Sequence, residues 1–61
     1  MIRVFINDKL FHVLPGMTVQ HALILAGLLK EVKNSKKVYD EWENEVGLDG
    51  ALSDGIKLYV K

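Results

Sequence analysis

Ser35, Ser53, His12 and His21 are the residues from which a nucleophile and its base would have to be drawn, and their spacing assembles no such set. Both serines stand among turn-forming neighbours, in "KNSKK" and "ALSDG", where a hydroxyl serves the backbone rather than a reaction. A zinc site would have to rest on His12, His21 and carboxylates, without the close Cys/His spacing such sites use. The chain has no cysteine, which removes disulfides, thiolate chemistry and iron–sulfur ligation. Asp40, Trp42 and Asn44 alternate as the first ligands of a calcium loop do. That loop fails at its sixth position, where Glu45 replaces the required glycine, and no bidentate glutamate closes it. The expectation is a protein with no catalytic residues, no metal and no cofactor, and so not an enzyme.

What remains is recognition chemistry, and it depends on which side chains share a surface. "IRVFIN" (2–7) alternates Ile2, Val4 and Ile6 with Arg3, Phe5 and Asn7, the period of a half-buried strand. "NDK" (7–9) is a tight turn and "LFHVL" (10–14) returns as the second strand of a hairpin. "IKLYVK" (56–61) alternates again, with Ile56, Leu58 and Val60 inward. If these aliphatics, with Phe11 and Val13, face a helix, the opposite side carries Arg3, Phe5, Leu10, His12, Leu14, Lys57 and Tyr59. An open sheet face normally reads polar. A mixture of aromatic, aliphatic and cationic residues there is what partner sites favour, although scattered exposed apolar residues are also ordinary. Arg3, Phe5, Leu10, His12, Lys57 and Tyr59 are the candidate partner-binding residues.

The covering helix follows the hairpin. "PG" (15–16) stops the second strand, since proline cannot donate to a ladder. Thr18 can cap a helix, but His21 stands where a capping box needs an acid. His21 itself reads as solvated, on the far side of the first turn from Val19. In "VQHALILA" (19–26), Val19, Ala22, Leu23 and Ala26 form one face, and Gly27 suits the left-handed residue after a helix end, with Leu28 packing back. Ile24 and Leu25 lie beyond that stripe, to be covered by the 28–48 segment or by a second subunit. Residues 30–37 read as a polar connection, "KVYD" (37–40) as a short strand and "VGL" (46–48) as a brief further one. Trp42, set among acids, is either a loop anchor folded over the core or an exposed contact, the anchor being preferred. The sum is an α+β domain spanning 1–61, with a mixed four- to five-stranded sheet, one helix packed across it, and the last strand beside the first in parallel.

Size and charge narrow the function. A domain of this length buries only about 60% of the surface its unfolded chain exposes, so a deep pocket is not expected. With no disulfide, stability must come from the 49% apolar content. Net charge is zero, against the clustered excess of Lys and Arg that duplex DNA or an anionic membrane requires. Lys30, Lys33, Lys36 and Lys37 crowd one stretch, and Asp40, Glu41, Glu43, Glu45, Asp49 and Asp54 the next. Both read as solvated faces, with an electrostatic partner patch as the sharper alternative. No stretch approaches the ~20 apolar residues of a membrane span, and no basic segment precedes the apolar run 22–29 as in a signal peptide. The expectation is a cytoplasmic protein, a monomer or weak homo-oligomer, that binds protein and neither nucleic acid nor membrane.

The opening "MIRVFINDKLFHVLPGMTVQHALILAG" resembles the β-grasp, or ubiquitin-like, superfamily, and is particularly similar to the sulfur-carrier proteins of thiamine and molybdopterin synthesis. The resemblance runs through Asn7, Pro15, Gly16, Thr18, Val19 and Gly27, then through Leu52, Asp54, Gly55, Leu58 and Val60 of "LSDGIKLYV". Residues 30–48 are poorly matched. Regulatory TGS domains and plant-type ferredoxins share the opening, and the ferredoxin reading fails on cysteine count. The resemblance implies a β-grasp fold and partner docking through the open sheet face. Sulfur carriers also use a flexible terminal Gly-Gly whose carboxylate becomes a thiocarboxylate. Here the sequence stops at Tyr59-Val60-Lys61, so the expectation is a binding protein that carries no sulfur. The alternative is a carrier whose tail is lost or truncated.

Overall fold

The computed structural model describes residues 1–61. Its elements run β1 (Ile2–Ile6), β2 (Lys9–Val13), α1 (Val19–Ala26), α2 (Leu29–Lys33), β3 (Val38–Tyr39) and β4 (Ile56–Val60). Four strands form one mixed sheet in the order β2-β1-β4-β3. β1 pairs antiparallel with β2 and parallel with β4, and β3 pairs antiparallel with β4. The class is α+β, with the last strand beside the first in parallel, as the alternation implied.

The hairpin turns on Asn7 and Asp8, at φ 50° and 68°. Positive φ at both central residues gives the backbone twist that suits a two-residue hairpin loop, and Asn and Asp tolerate it best among residues with a side chain. Asn7 also ties the hairpin to β4. Its N–H donates to Leu58 O at 3.0 Å, and its Oδ1 accepts from Val60 N–H at 3.0 Å.

Helix α1 begins after Thr18, which is extended at φ −102° and ψ 172°. The first N–H groups of a helix lack internal partners. Here Val19 N–H donates to Gly50 O at 3.0 Å and Gln20 N–H to Leu48 O at 2.9 Å. His21 supplies what the missing acid was expected to supply: its Nδ1 accepts from the backbone N–H of Thr18 at 3.1 Å. At the far end Gly27 adopts φ 73°. Gly27 N–H then reaches Ile24 O at 3.1 Å and Leu28 N–H reaches Leu23 O at 2.9 Å, the paired bonds of a Schellman close.

The segment after Gly27 departs from expectation. Residues 29–33 form a second helix rather than a polar connection. Leu29 and Val32, three apart and therefore on one face, pack against the core. Residues 46–48 form no strand. Glu45 makes a single bridge to Tyr39 and Val46 N–H donates to Val38 O at 2.8 Å. The chain then bends away, because the carbonyls of Leu48 and Gly50 cap α1. The sheet therefore stops at four strands.

The core is Val4, Ile6, Val13, Val19, Ala22, Leu23, Val38, Leu58 and Val60, with no polar side chain buried among them. Fully burying a side chain such as Leu23 or Leu58 contributes about 1.5–3 kcal/mol. Ile24 and Leu25 are uncovered, at 54% and 55% exposure; no part of the chain reaches over them. No helix is long and apolar enough to cross a membrane.

Candidate functional site

Residues directly opposite in a ladder point to the same side of the sheet. Registering Val4 on Phe11 and on Ile56, and Val38 on Val60, places these residues on the helix side. The intervening pairs face away from α1. They are Arg3 with His12, Phe5 with Leu10, Phe5 with Lys57, and Tyr39 with Tyr59. The six candidate residues, Arg3, Phe5, Leu10, His12, Lys57 and Tyr59, are thus brought to one face. Arg3, Leu10, His12 and Lys57 are exposed, and Phe5 and Tyr59 are half-buried by their neighbours.

The register adds Tyr39, which the sequence reading did not place there. A strand of two residues has no alternation to read, so only its pairing with Tyr59 shows which side its ring takes. With it, every strand contributes an apolar or aromatic side chain to this face: Leu10 on β2 opposite Phe5 on β1, and Tyr39 on β3 opposite Tyr59 on β4, with Tyr59 diagonal to Phe5, two residues beyond its partner Lys57. Cations stand among these side chains. The Lys61 ammonium stands 5.5 Å from the centre of the Tyr39 ring, within reach of a cation–π contact, and also pairs with Glu43 at 3.3 Å. Lys57 makes no ion pair.

Arg3 is the most constrained polar group on the face. Asp54, in the turn before β4, accepts from the backbone N–H of Arg3 at 2.8 Å and from the guanidinium at 3.4 and 3.3 Å. The hydrogen bond from the Arg3 side chain, reinforced by its backbone N–H, holds the Asp54 carboxyl below the usual carboxylate range. The same hydrogen bond, with the attraction of the two charges, raises the Arg3 guanidinium. Gly55 N–H closes the loop by donating to Arg3 O at 2.8 Å.

Trp42 is not a core anchor. It is 74% exposed, at the tip of a turn built by Asp40. The Asp40 Oδ1 accepts from Trp42 N–H and Asn44 N–H, both at 2.9 Å, and Glu43 takes φ 64°. Two bonds from one carboxylate hold the tip in a shape that points the indole outward. Trp42 borders an open groove of about 300 Å³ whose other wall runs from Ser53 to Lys57.

The remaining chemical candidates stay apart. His12 lies on the open sheet face and His21 on the first turn of α1 in the other layer. Ser35 ends α2 at φ 108° and the carbonyl of Ser53 accepts from Ile56 N–H at 3.2 Å, so both serve turns. No three His, Asp or Glu side chains converge as metal ligands would. The open face presents aromatic and aliphatic side chains with the exposed Arg3, His12 and Lys57 beside them. No protein-family model matches the chain, and no curated protein or solved structure is significantly similar to it.

Proposed function

We propose that this is a non-catalytic, β-grasp-type binding domain that docks on a larger protein through the sheet face bearing Arg3, Phe5, Leu10, His12, Tyr39, Lys57 and Tyr59. The β-grasp reading is supported by a hairpin leading into a crossing helix, and by a final strand inserted in parallel beside the first. The observation that carries the docking reading is that Leu10, Phe5, Tyr59 and Tyr39, one from each strand, share the side of the sheet away from α1. Aromatic residues ringed by polar groups are the usual anchors of an interface. His12 and Lys57 on the same face suit a partner surface that sets acceptors or carboxylates beside apolar groups.

Photocrosslinking from the face tests this directly. A benzophenone side chain at Phe5 or Tyr59 is expected to give one discrete protein adduct in cells, and the same group at the exposed helix position Gln20 to give none. The double variant Phe5→Ser, Tyr59→Ser is expected to lose that partner, since truncating a central anchor costs about 2 kcal/mol or more. Equal adducts from both surfaces, or a partner still held by the double variant, reject the reading.

A further inference from the structure

We propose that β2 is a self-association edge: two copies of this chain pair antiparallel along β2, with Leu10 of each opposite His12 of the other and the two Phe11 side chains meeting on the two-fold axis. The proposal concerns the rim of the sheet and stands whether or not a partner docks on its face.

The free backbone groups can be assigned from the bonds of β1. Its odd residues turn toward β4: Gly55 N–H donates to Arg3 O at 2.8 Å and Asn7 N–H to Leu58 O at 3.0 Å. Its even residues therefore turn toward β2, and their partners Lys9, Phe11 and Val13 bond inward. Leu10 and His12 must direct both N–H and C=O away from the sheet. Neither makes a backbone bond anywhere beyond the hairpin. The other rim is blunted, because β3 has two residues and Val46 N–H already takes Val38 O at 2.8 Å. β2 has five consecutive pairs with no bulge and no proline, and its one edge-protecting feature is Lys9 at its first position, so the stretch from Leu10 to Val13 carries no device that keeps an edge from pairing.

The available groups select one register. Beyond Val13, Leu14 is occupied: its N–H reaches Met17 Sδ at 3.3 Å and its carbonyl accepts from Met17 N–H at 3.2 Å. Before Lys9, Asp8 at φ 68° is not extended. Two donors and two acceptors remain on each copy, on Leu10 and His12. A symmetric ladder uses all of them only when Leu10 faces His12. Slipping so that Leu10 faces Leu10, or His12 faces His12, leaves half unused. The selected register also sets Lys9 against Val13, so that no two cations are opposed, and sets the half-buried Phe11 rings against each other at the closely spaced position. Net charge is zero, so the copies carry no overall repulsion. The product is a continuous eight-stranded sheet with both open faces on one side.

Sedimentation across micromolar to millimolar concentration is expected to show a reversible dimer. Leu10→Pro and His12→Pro each delete an outward N–H that the monomer does not use, and each is expected to abolish the dimer while keeping the circular dichroism of the fold. The register is read by mixing two single-cysteine variants, Leu10→Cys and His12→Cys, in a chain with no other cysteine. The mixed disulfide is expected to exceed both homodisulfides, because a hydrogen-bonded pair sits about 5.5 Å apart at Cα, within disulfide reach. A monomer at millimolar concentration, or homodisulfides in excess from folded cysteine variants, overturns the proposal. If a proline variant fails to fold, the cysteine result alone decides.

Discussion

Asp54 grips Arg3 by both backbone and side chain, across 51 residues of sequence, with the N–H of Arg3 at 2.8 Å and its guanidinium at 3.3 Å. This clasp joins the start of β1 to the turn that launches β4, and so sets the parallel pair at the sheet centre. Its dependence on pH follows from the lowered Asp54 carboxyl. A depressed folded-state pKa means that the unfolded chain binds the proton more readily. The stabilisation is complete above the ordinary carboxylate value of about 4 and is lost as pH falls through the lower, folded one. Arg3, already cationic and raised, takes no part in that window. In Asp54→Asn an amide oxygen still accepts from Arg3 N–H but no longer titrates. Its melting temperature is expected to fall less steeply than that of the parent from about pH 4 to 2. Parallel curves would show that the clasp is not coupled to folding.

Asn7 does two things that can be separated. It adopts φ 50° and its Oδ1 accepts from Val60 N–H at 3.0 Å. Asn7→Gly keeps the backbone conformation and removes the bond, for an expected loss of about 1 kcal/mol. Asn7→Ala adds left-handed strain, and its total loss is expected at about 2–3 kcal/mol. Urea unfolding measures both, and equal losses would mean that the backbone there is not strained.

Strand parity was legible wherever a strand was long enough to alternate. Val4, Ile6, Leu58 and Val60 are buried, and Arg3 and Lys57 are not, as the alternation of β1 and β4 required. The Gly27 close of α1 was legible too, because a left-handed residue after an apolar run has few alternatives to glycine. Shorter segments carried too little pattern. The five residues of α2 offer one apolar pair, Leu29 and Val32, amid lysines, and β3 offers no period at all, which hid Tyr39. Trp42 was misread because its exposure is set by two backbone hydrogen bonds to Asp40, and hydrophobicity alone does not foresee them. The clasp between Arg3 and Asp54 is a contact across nearly the whole chain, visible only once β1 and β4 are known to be neighbours.

His21 at the third position of α1 is a neutral substitute for the usual acid. It accepts from Thr18 N–H but brings no negative charge to the helix start, and the first turn holds no acid. His21→Glu keeps the acceptor and adds a charge that favours the positive end of the helix dipole. The expected gain at neutral pH is about 0.5–1 kcal/mol, read as a higher urea midpoint with an unchanged slope. His21→Ala removes the acceptor and is expected to lose about 1 kcal/mol. A neutral or destabilising glutamate would mean that the imidazole is held by contacts other than the cap.

Trp42 and Asp40 lie two residues apart and have opposite expected consequences. The indole is 74% exposed and fills no core space, so Trp42→Ala is expected to move stability by no more than about 0.5 kcal/mol. Asp40 is the half-buried residue that holds the turn, since one carboxylate oxygen takes two backbone N–H groups at 2.9 Å. Asp40→Ala strips both of their acceptor and is expected to cost about 1–3 kcal/mol. The folded parent is expected to emit tryptophan fluorescence close to that of indole in water and to be quenched readily by iodide. A blue-shifted, protected emission together with a costly Trp42→Ala would reverse the assignment and make the indole, not the carboxylate, what holds residues 40–45 in place.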